Sequence, residues 1–126
     1  MKHLRRVTNL NYLTNLSGGN TRLIVDMLEL FISETTKEIQ LIEKGIIEND
    51  LILIKSSIHS MKGIIHYVGL DEISKTDLIK IEKLAINELS ILEIGILFSK
   101  TKIKLKEAIH ELNDWISLSN TKKTCE

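Results

Sequence analysis

Near the middle of the chain, His59-Ser60-Met61-Lys62-Gly63 sets an imidazole, an ammonium three residues on and a glycine four residues on, with Tyr67-Val68-Gly69 just beyond. Imidazole, with an ordinary pKa of about 6.5, is largely neutral and nucleophilic near neutral pH. An exposed ring nitrogen can therefore attack an acyl phosphate in line and carry the phosphoryl group as phosphohistidine. An ammonium one helical turn away, here Lys62, can neutralise part of the charge on the phosphoryl oxygens through charge-assisted hydrogen bonds. Glycine inside a helix costs up to about 1 kcal/mol relative to alanine. Gly63 thus reads either as clearance for a phosphoryl group and its donor or as a site of close helix packing.

These residues need a helix to position them. At about 100° per residue, Leu51, Ile54, Ile58, Met61, Ile65 and Val68 gather into one apolar face that must point into a core. His59 falls away from that face. Within about 60° of it lie Ile52, Lys55, Ser56, Lys62, Gly63 and His66. The imidazole is displayed to solvent, with a cation one turn before it and another one turn after it. Ile52, Lys55, Ser56, His66 and the exposed side of Tyr67 are candidates for a partner-docking surface, with burial against a neighbouring helix the competing reading for Tyr67. His59 and His66 do not make a metal site. Seven helical residues separate their rings by about 10 Å along the axis, and no third ligand is placed to complete such a site.

The run His59-Ser60-Met61-Lys62-Gly63, followed by Val68-Gly69, resembles the signature of histidine-containing phosphotransfer (HPt) domains, relay modules of multistep two-component signalling. Ser17-Gly18-Gly19-Asn20 followed by Met27-Leu28-Glu29-Leu30-Phe31 is similar to the family's glycine turn and the helix after it. Asn49-Asp50 is similar to its acidic cap before the histidine helix. The resemblance covers roughly Leu13 to Glu88, with helical continuation to about Trp115. It implies His59 as phosphoryl acceptor, Lys62 as phosphate partner, and no intrinsic cofactor, the magnesium ion being brought by a partner receiver domain. It also implies response-regulator receiver domains or a hybrid sensor histidine kinase as partners. Two departures stand out. Ile64 and Ile65 occupy positions where family members carry small residues, with Ile65 expected in the core and Ile64 at its margin. The polar residue with which many members steady the histidine ring aligns with Ile81, or with Glu82 after a one-residue slip.

The chain has 126 residues, no proline and only five aromatic residues, and 17 basic side chains balance 17 acidic ones. It reads as a single domain over residues 1–126, with a core over about 10–118 and flexible ends. Zero formal charge removes the electrostatic case for a nucleic-acid partner. Lys2, Arg5, Arg6, Lys122 and Lys123 read as solvated ends. A single Cys125 has no intrachain disulfide partner, which suits a cytoplasmic setting. Val7 to Leu16 is too polar for a signal peptide, and Glu93 breaks the apolar stretch Ile91 to Phe98, so no membrane segment is expected. A glycine-rich nucleotide loop is missing, so the chain should not phosphorylate itself from ATP.

Helical signals recur without strand alternation. Leu10 to Leu16 forms a short leading helix closed by Ser17-Gly18-Gly19. Asn20 caps a long helix to about Lys44, with Gly45 at its fraying end. Asn49 or Asp50 caps the histidine helix, which stops before Gly69. Asp71 caps the next, to about Asn87, and the last runs from near Ser90 to near Leu118. Met27, Phe31 and Trp115 are expected in the core. Short connections between long amphipathic helices predict an all-α, antiparallel up-down four-helix bundle with a short N-terminal helix, monomeric in solution. Two further functional classes fit such a bundle: an adaptor that binds signalling proteins without phosphorylation, and a helical oligomerisation module.

Overall fold

The computed structural model describes residues 7–87 and 91–125, with side chains through Asn120. Ser90, expected to open the last helix, lies outside the described residues. So do Lys2, Arg5, Arg6 and the side chains of Lys122, Lys123 and Cys125.

The fold is all-α. The helix α1 (Asn11–Ser17) leads into α2 (Thr21–Glu48) and α3 (Leu51–His66). Helix α4 runs continuously through an α-helical turn (Asp71–Ile73), a π-helical turn (Ser74–Leu78) and an α-helical part (Ile79–Ile86). The last helix, α5, spans Ile91–Cys125. Helices α2, α3, α4 and α5 pack in a ring, each against the next and α5 back on α2, while α1 lies on α2. The expected antiparallel four-helix bundle with a short leading helix is the observed architecture.

Local chemistry explains the element ends. Gly18 and Gly19 turn the chain in the left-handed region, at φ of 65° and 81°. Asn20 accepts a hydrogen bond from the Leu23 amide at 3.1 Å, which starts α2. Helix α2 does not end at Lys44. It continues to Glu48, and Gly45 is buried inside it. A Cβ on Gly45 would stand 2.7 Å from Cγ1 of Ile54, so the glycine marks a close approach of α3 rather than a helix end. Asn49 closes α2 at φ 55°, and Asp50 caps α3 by accepting from the Leu53 amide at 3.0 Å. The two candidates thus divide the roles, one ending a helix and the other starting the next.

Asp71 does not cap α4. The N-cap position is Leu70, without a side-chain hydrogen bond, and the Asp71 carboxylate faces His66 instead. Inside α4, the buried residues Ile73, Leu78, Ile81 and Ala85 are spaced by five, three and four. A regular α-helix would turn Leu78 about 140° away from Ile73. The π turn between them accommodates the extra residue and returns the apolar side chains to one face. Asp77, in that turn, accepts from Thr101 Oγ1 at 3.2 Å and Lys104 Nζ at 2.8 Å, both on α5, and from Thr76 Oγ1 at 3.0 Å.

The core is built from Leu28 and Ile42 of α2, Ile54, Ile58, Met61 and Ile65 of α3, Ile81 of α4, and Phe98, Leu105 and Leu112 of α5, all essentially inaccessible. Phe31 joins them; Met27 and Trp115 are only partly buried. Helix α5 passes the expected end near Leu118 and reaches Cys125, because neither proline nor glycine follows Gly95 to stop it. The segment before α1 is also fixed. The amides of Val7 and Thr8 donate to the Glu111 carboxylate at 2.7 and 3.2 Å, and the Asn9 amide donates to the Val68 carbonyl at 2.8 Å. No described helix is long and apolar enough to cross a membrane.

Candidate functional site

Helix α3 presents two faces. Ile54, Ile58, Met61 and Ile65, with Val68 just past its end, are buried. Between them, His59, Ser60 and Gly63 are exposed on the outer side. Among the described residues the His59 side chain makes no hydrogen bond, ion pair or ring contact, so its ring nitrogens are open to a reactant from solvent.

Gly63 has open space around it. A Cβ built there meets no atom within 4 Å, which rules out close helix packing as the reason for glycine. Gly69 behaves differently. At φ 78°, a Cβ on it would lie 2.6 Å from the Asn9 Cβ, so this glycine lets the chain before α1 cross the end of α3. The two glycines of the motif therefore serve different ends, an open surface and a chain crossing.

Lys62 is not a free cation. Its Nζ donates to Glu82 Oε1 on α4 at 2.7 Å, with both side chains about three-quarters buried, at 26% and 23% exposure. Ile81, the residue aligned without a slip, is fully buried in the core. Glu82, the next residue, reaches α3 and meets Lys62 rather than the His59 ring. Lys55, one turn before His59, is partly buried and forms no ion pair among the described residues.

The other candidate docking residues fall in two places. Ile52 and Ser56 are exposed, Ile52 at 76%, on the N-terminal side of His59. On the other side, His66 Nδ1 donates to Asp71 Oδ1 at 3.0 Å. The His66 ring centroid lies 5.2 Å from that of Tyr12 and 6.1 Å from that of Tyr67, and Tyr12 and Tyr67 are 5.6 Å apart. Tyr67 is thus half-packed in a three-ring cluster while remaining 46% exposed.

Beside this cluster the sequence reading missed an apolar groove. It has a volume of about 270 Å³ and runs between α1, α2 and the end of α3, lined by Leu13, Leu16, Met27, Leu30, Ile64 and Tyr67 among others. Ile64 forms part of its wall, so this departure from the family pattern shapes an apolar surface rather than the surroundings of His59. The available signal was apolar residues beyond the needs of one core stripe: Leu16 and Leu30 are 52% and 63% exposed.

Among the described residues no group of three or more His, Cys, Asp or Glu side chains is placed to hold a metal ion. Lys55 lies one turn before His59 and Lys62 one turn after it, the latter bonded to Glu82.

No curated protein matches the chain. The fold is similar to the crystal structure of the HPT domain from an Hpt sensor hybrid histidine kinase of Shewanella, with a TM-score of 0.71 and 15% sequence identity, over 89% of this chain and 95% of that one. The family model described as Hpt domain matches residues 26–115, a span that holds the histidine helix and most of the bundle around it. The chain belongs to the Hpt domain family, phosphotransfer carriers of two-component signalling.

Proposed function

We propose that His59 accepts a phosphoryl group from the phosphoaspartate of a receiver domain and passes it to an aspartate of another receiver. In the first step the unprotonated ring nitrogen attacks phosphorus, the N–P bond forms, the P–O bond to the aspartate breaks and the carboxylate leaves. The proton on the other ring nitrogen can then be released to solvent. In the second step a receiver carboxylate attacks the same phosphorus and the imidazole leaves. The magnesium ion for both steps would belong to the receiver. The observation that carries this reading is the open position of His59, with unoccupied space over Gly63 one turn along.

Lys62 would stabilise the phosphoryl oxygens and Lys55 would add a second cation. Ile52 and Ser56 on one side, and His66, Tyr67 and the groove on the other, would contact the receiver. From His59 to Tyr67 is about 12 Å along the helix, well within a standard protein interface of about 800 Å² per partner. The working form would be a cytoplasmic monomer without autokinase activity.

The test mixes the chain with a receiver domain already charged on its aspartate and follows phosphate by intact mass at neutral to alkaline pH. Wild type should gain one phosphoryl group and His59→Gln none, with stability changed by less than about 0.5 kcal/mol for this exposed position. Uptake by His59→Gln would move the acceptor elsewhere, His66 being the other exposed histidine on the same side of α3. A second reading, a binding adaptor without phosphorylation, is favoured by two observations: the His59 ring has no orienting partner among the described residues, and Lys62 is already bonded. Receiver binding without phosphate uptake would select it.

A further inference from the structure

The ion pair between Lys62 and Glu82 joins the residue one turn beyond the acceptor histidine to a carboxylate on the facing helix. An ammonium has three N–H donors, and here one of them is committed at 2.7 Å to a carboxylate oxygen. A phosphoryl group on His59 would bring up to two negative charges within reach of the same ammonium, since residues three apart on a helix have Cβ atoms about 5–6 Å apart. Carboxylate and phosphoryl group would then draw on one cation in a partly desolvated setting, where charge interactions are stronger than in bulk water.

We infer that Glu82 is a positioning residue that holds Lys62 in the unphosphorylated state and competes with the phosphoryl group for it, making phosphorylated His59 a better donor. The inference rests on His59 being the acceptor. In the unmodified chain the carboxylate satisfies Lys62 and fixes it against α4. After transfer, Lys62 can serve the phosphoryl oxygens only by sharing or leaving Glu82, and the two anions repel. The phosphorylated state is raised relative to one in which Lys62 is free. The equilibrium is shifted toward onward transfer to a receiver aspartate, and no bond is made or broken beyond the two transfer steps above. Lys55, without such a partner among the described residues, imposes no comparable competition.

The test charges the full chain with phosphoramidate, a small-molecule phosphodonor to histidine, and then equilibrates it with a receiver domain while the two phosphorylated species are measured by intact mass. Glu82→Gln keeps an oxygen for Lys62 but removes the charge. It should shift the equilibrium toward phosphorylated His59 by roughly three- to tenfold and lengthen the lifetime of the adduct. Glu82→Asp, which keeps the charge, should stay within about twofold of wild type on the same grounds. In a Lys62→Ala background, Glu82→Gln should shift the equilibrium by less than about twofold, because the route through Lys62 is gone. Thermal melts accompany each variant.

An unmoved or reversed equilibrium in folded Glu82→Gln would overturn the inference. A full shift that persists without Lys62 would overturn it too, since Glu82 would then act on the phosphoryl group directly. A wild-type chain that melts normally but takes no phosphate from either donor defeats the reading of His59 as acceptor. Phosphate on His59 with an equilibrium insensitive to Glu82 defeats only the role given to Glu82.

Discussion

Gly45 of α2 lies so close to Ile54 of α3 that a Cβ on the glycine would stand 2.7 Å from the isoleucine Cγ1 and 3.2 Å from the Asp50 carbonyl oxygen. The junction between the two helices is therefore set by direct approach of the α3 N-terminus to the α2 backbone. Asp50 reinforces it from both ends, its amide donating to the Gly45 carbonyl at 2.8 Å and its carboxylate capping α3. This contact fixes how α3, the histidine helix, leaves α2.

Gly45→Ala should therefore destabilise the bundle by about 1–3 kcal/mol, the usual cost of forcing a methyl into a filled site, despite the better helix propensity of alanine. Urea unfolding would measure it. An unchanged midpoint would mean that α3 can move away from α2 without penalty.

Gly63→Ala should behave in the opposite way. The added methyl meets nothing, so helix propensity alone predicts equal or higher stability, by up to about 1 kcal/mol. Phosphate uptake from a charged receiver should nevertheless slow by about tenfold or more, because misplacing a reacting group by an ångström can cost even more. Uptake at the wild-type rate would show that the clearance is not used.

The Asp77 cluster makes stability pH-dependent in a defined direction. Burial pushes its carboxyl up, but the hydrogen bonds from Lys104, Thr76 and Thr101, together with the Lys104 charge, outweigh this and hold it below the ordinary aspartate value. A carboxyl depressed in the folded state adds stability above its unfolded pKa and loses it as pH falls through the folded one. Asp77→Asn should thus be less stable than wild type at neutral pH, by less than about 1 kcal/mol, because the Lys104 side of the pair is half exposed and screened by solvent. The difference should vanish in acid, below the ordinary aspartate range. Melts from pH 7 down to about pH 2 would follow it; a constant difference would place the effect in packing rather than in charge.

The apolar groove beside Tyr67 should contribute to receiver docking. Leu30 is 63% exposed on its rim, so Leu30→Lys should leave the melting temperature nearly unchanged while weakening receiver binding by about tenfold, as loss of an apolar contact near an interface centre does. Ile103→Lys on α5, which contributes no residue to the groove, should bind like wild type. Titration calorimetry of each variant against one receiver would distinguish them, and equal affinities would take the groove out of the docking surface.

The outward aim of His59 was legible in the sequence because it depends only on α3. Apolar side chains at three- and four-residue steps define the buried face, and whatever falls between them must face solvent. Asn20, and the Asn49-Asp50 pair as alternatives, were readable as caps for the same reason, since a cap bonds an amide only three residues away. The family signature was equally local, and so was the expectation of helices short-linked into an antiparallel bundle. Tertiary structure decided what depends on how the helices meet. Gly45 looks like a helix end until Ile54 is placed against it. Lys62 looks free until α4 arrives with Glu82, twenty residues on in sequence. The groove likewise exists only once α1 lies against α2 and the end of α3. Helical periodicity says which way a side chain points, but the rotation and register between packed helices say what it touches, and those are set by the whole core at once.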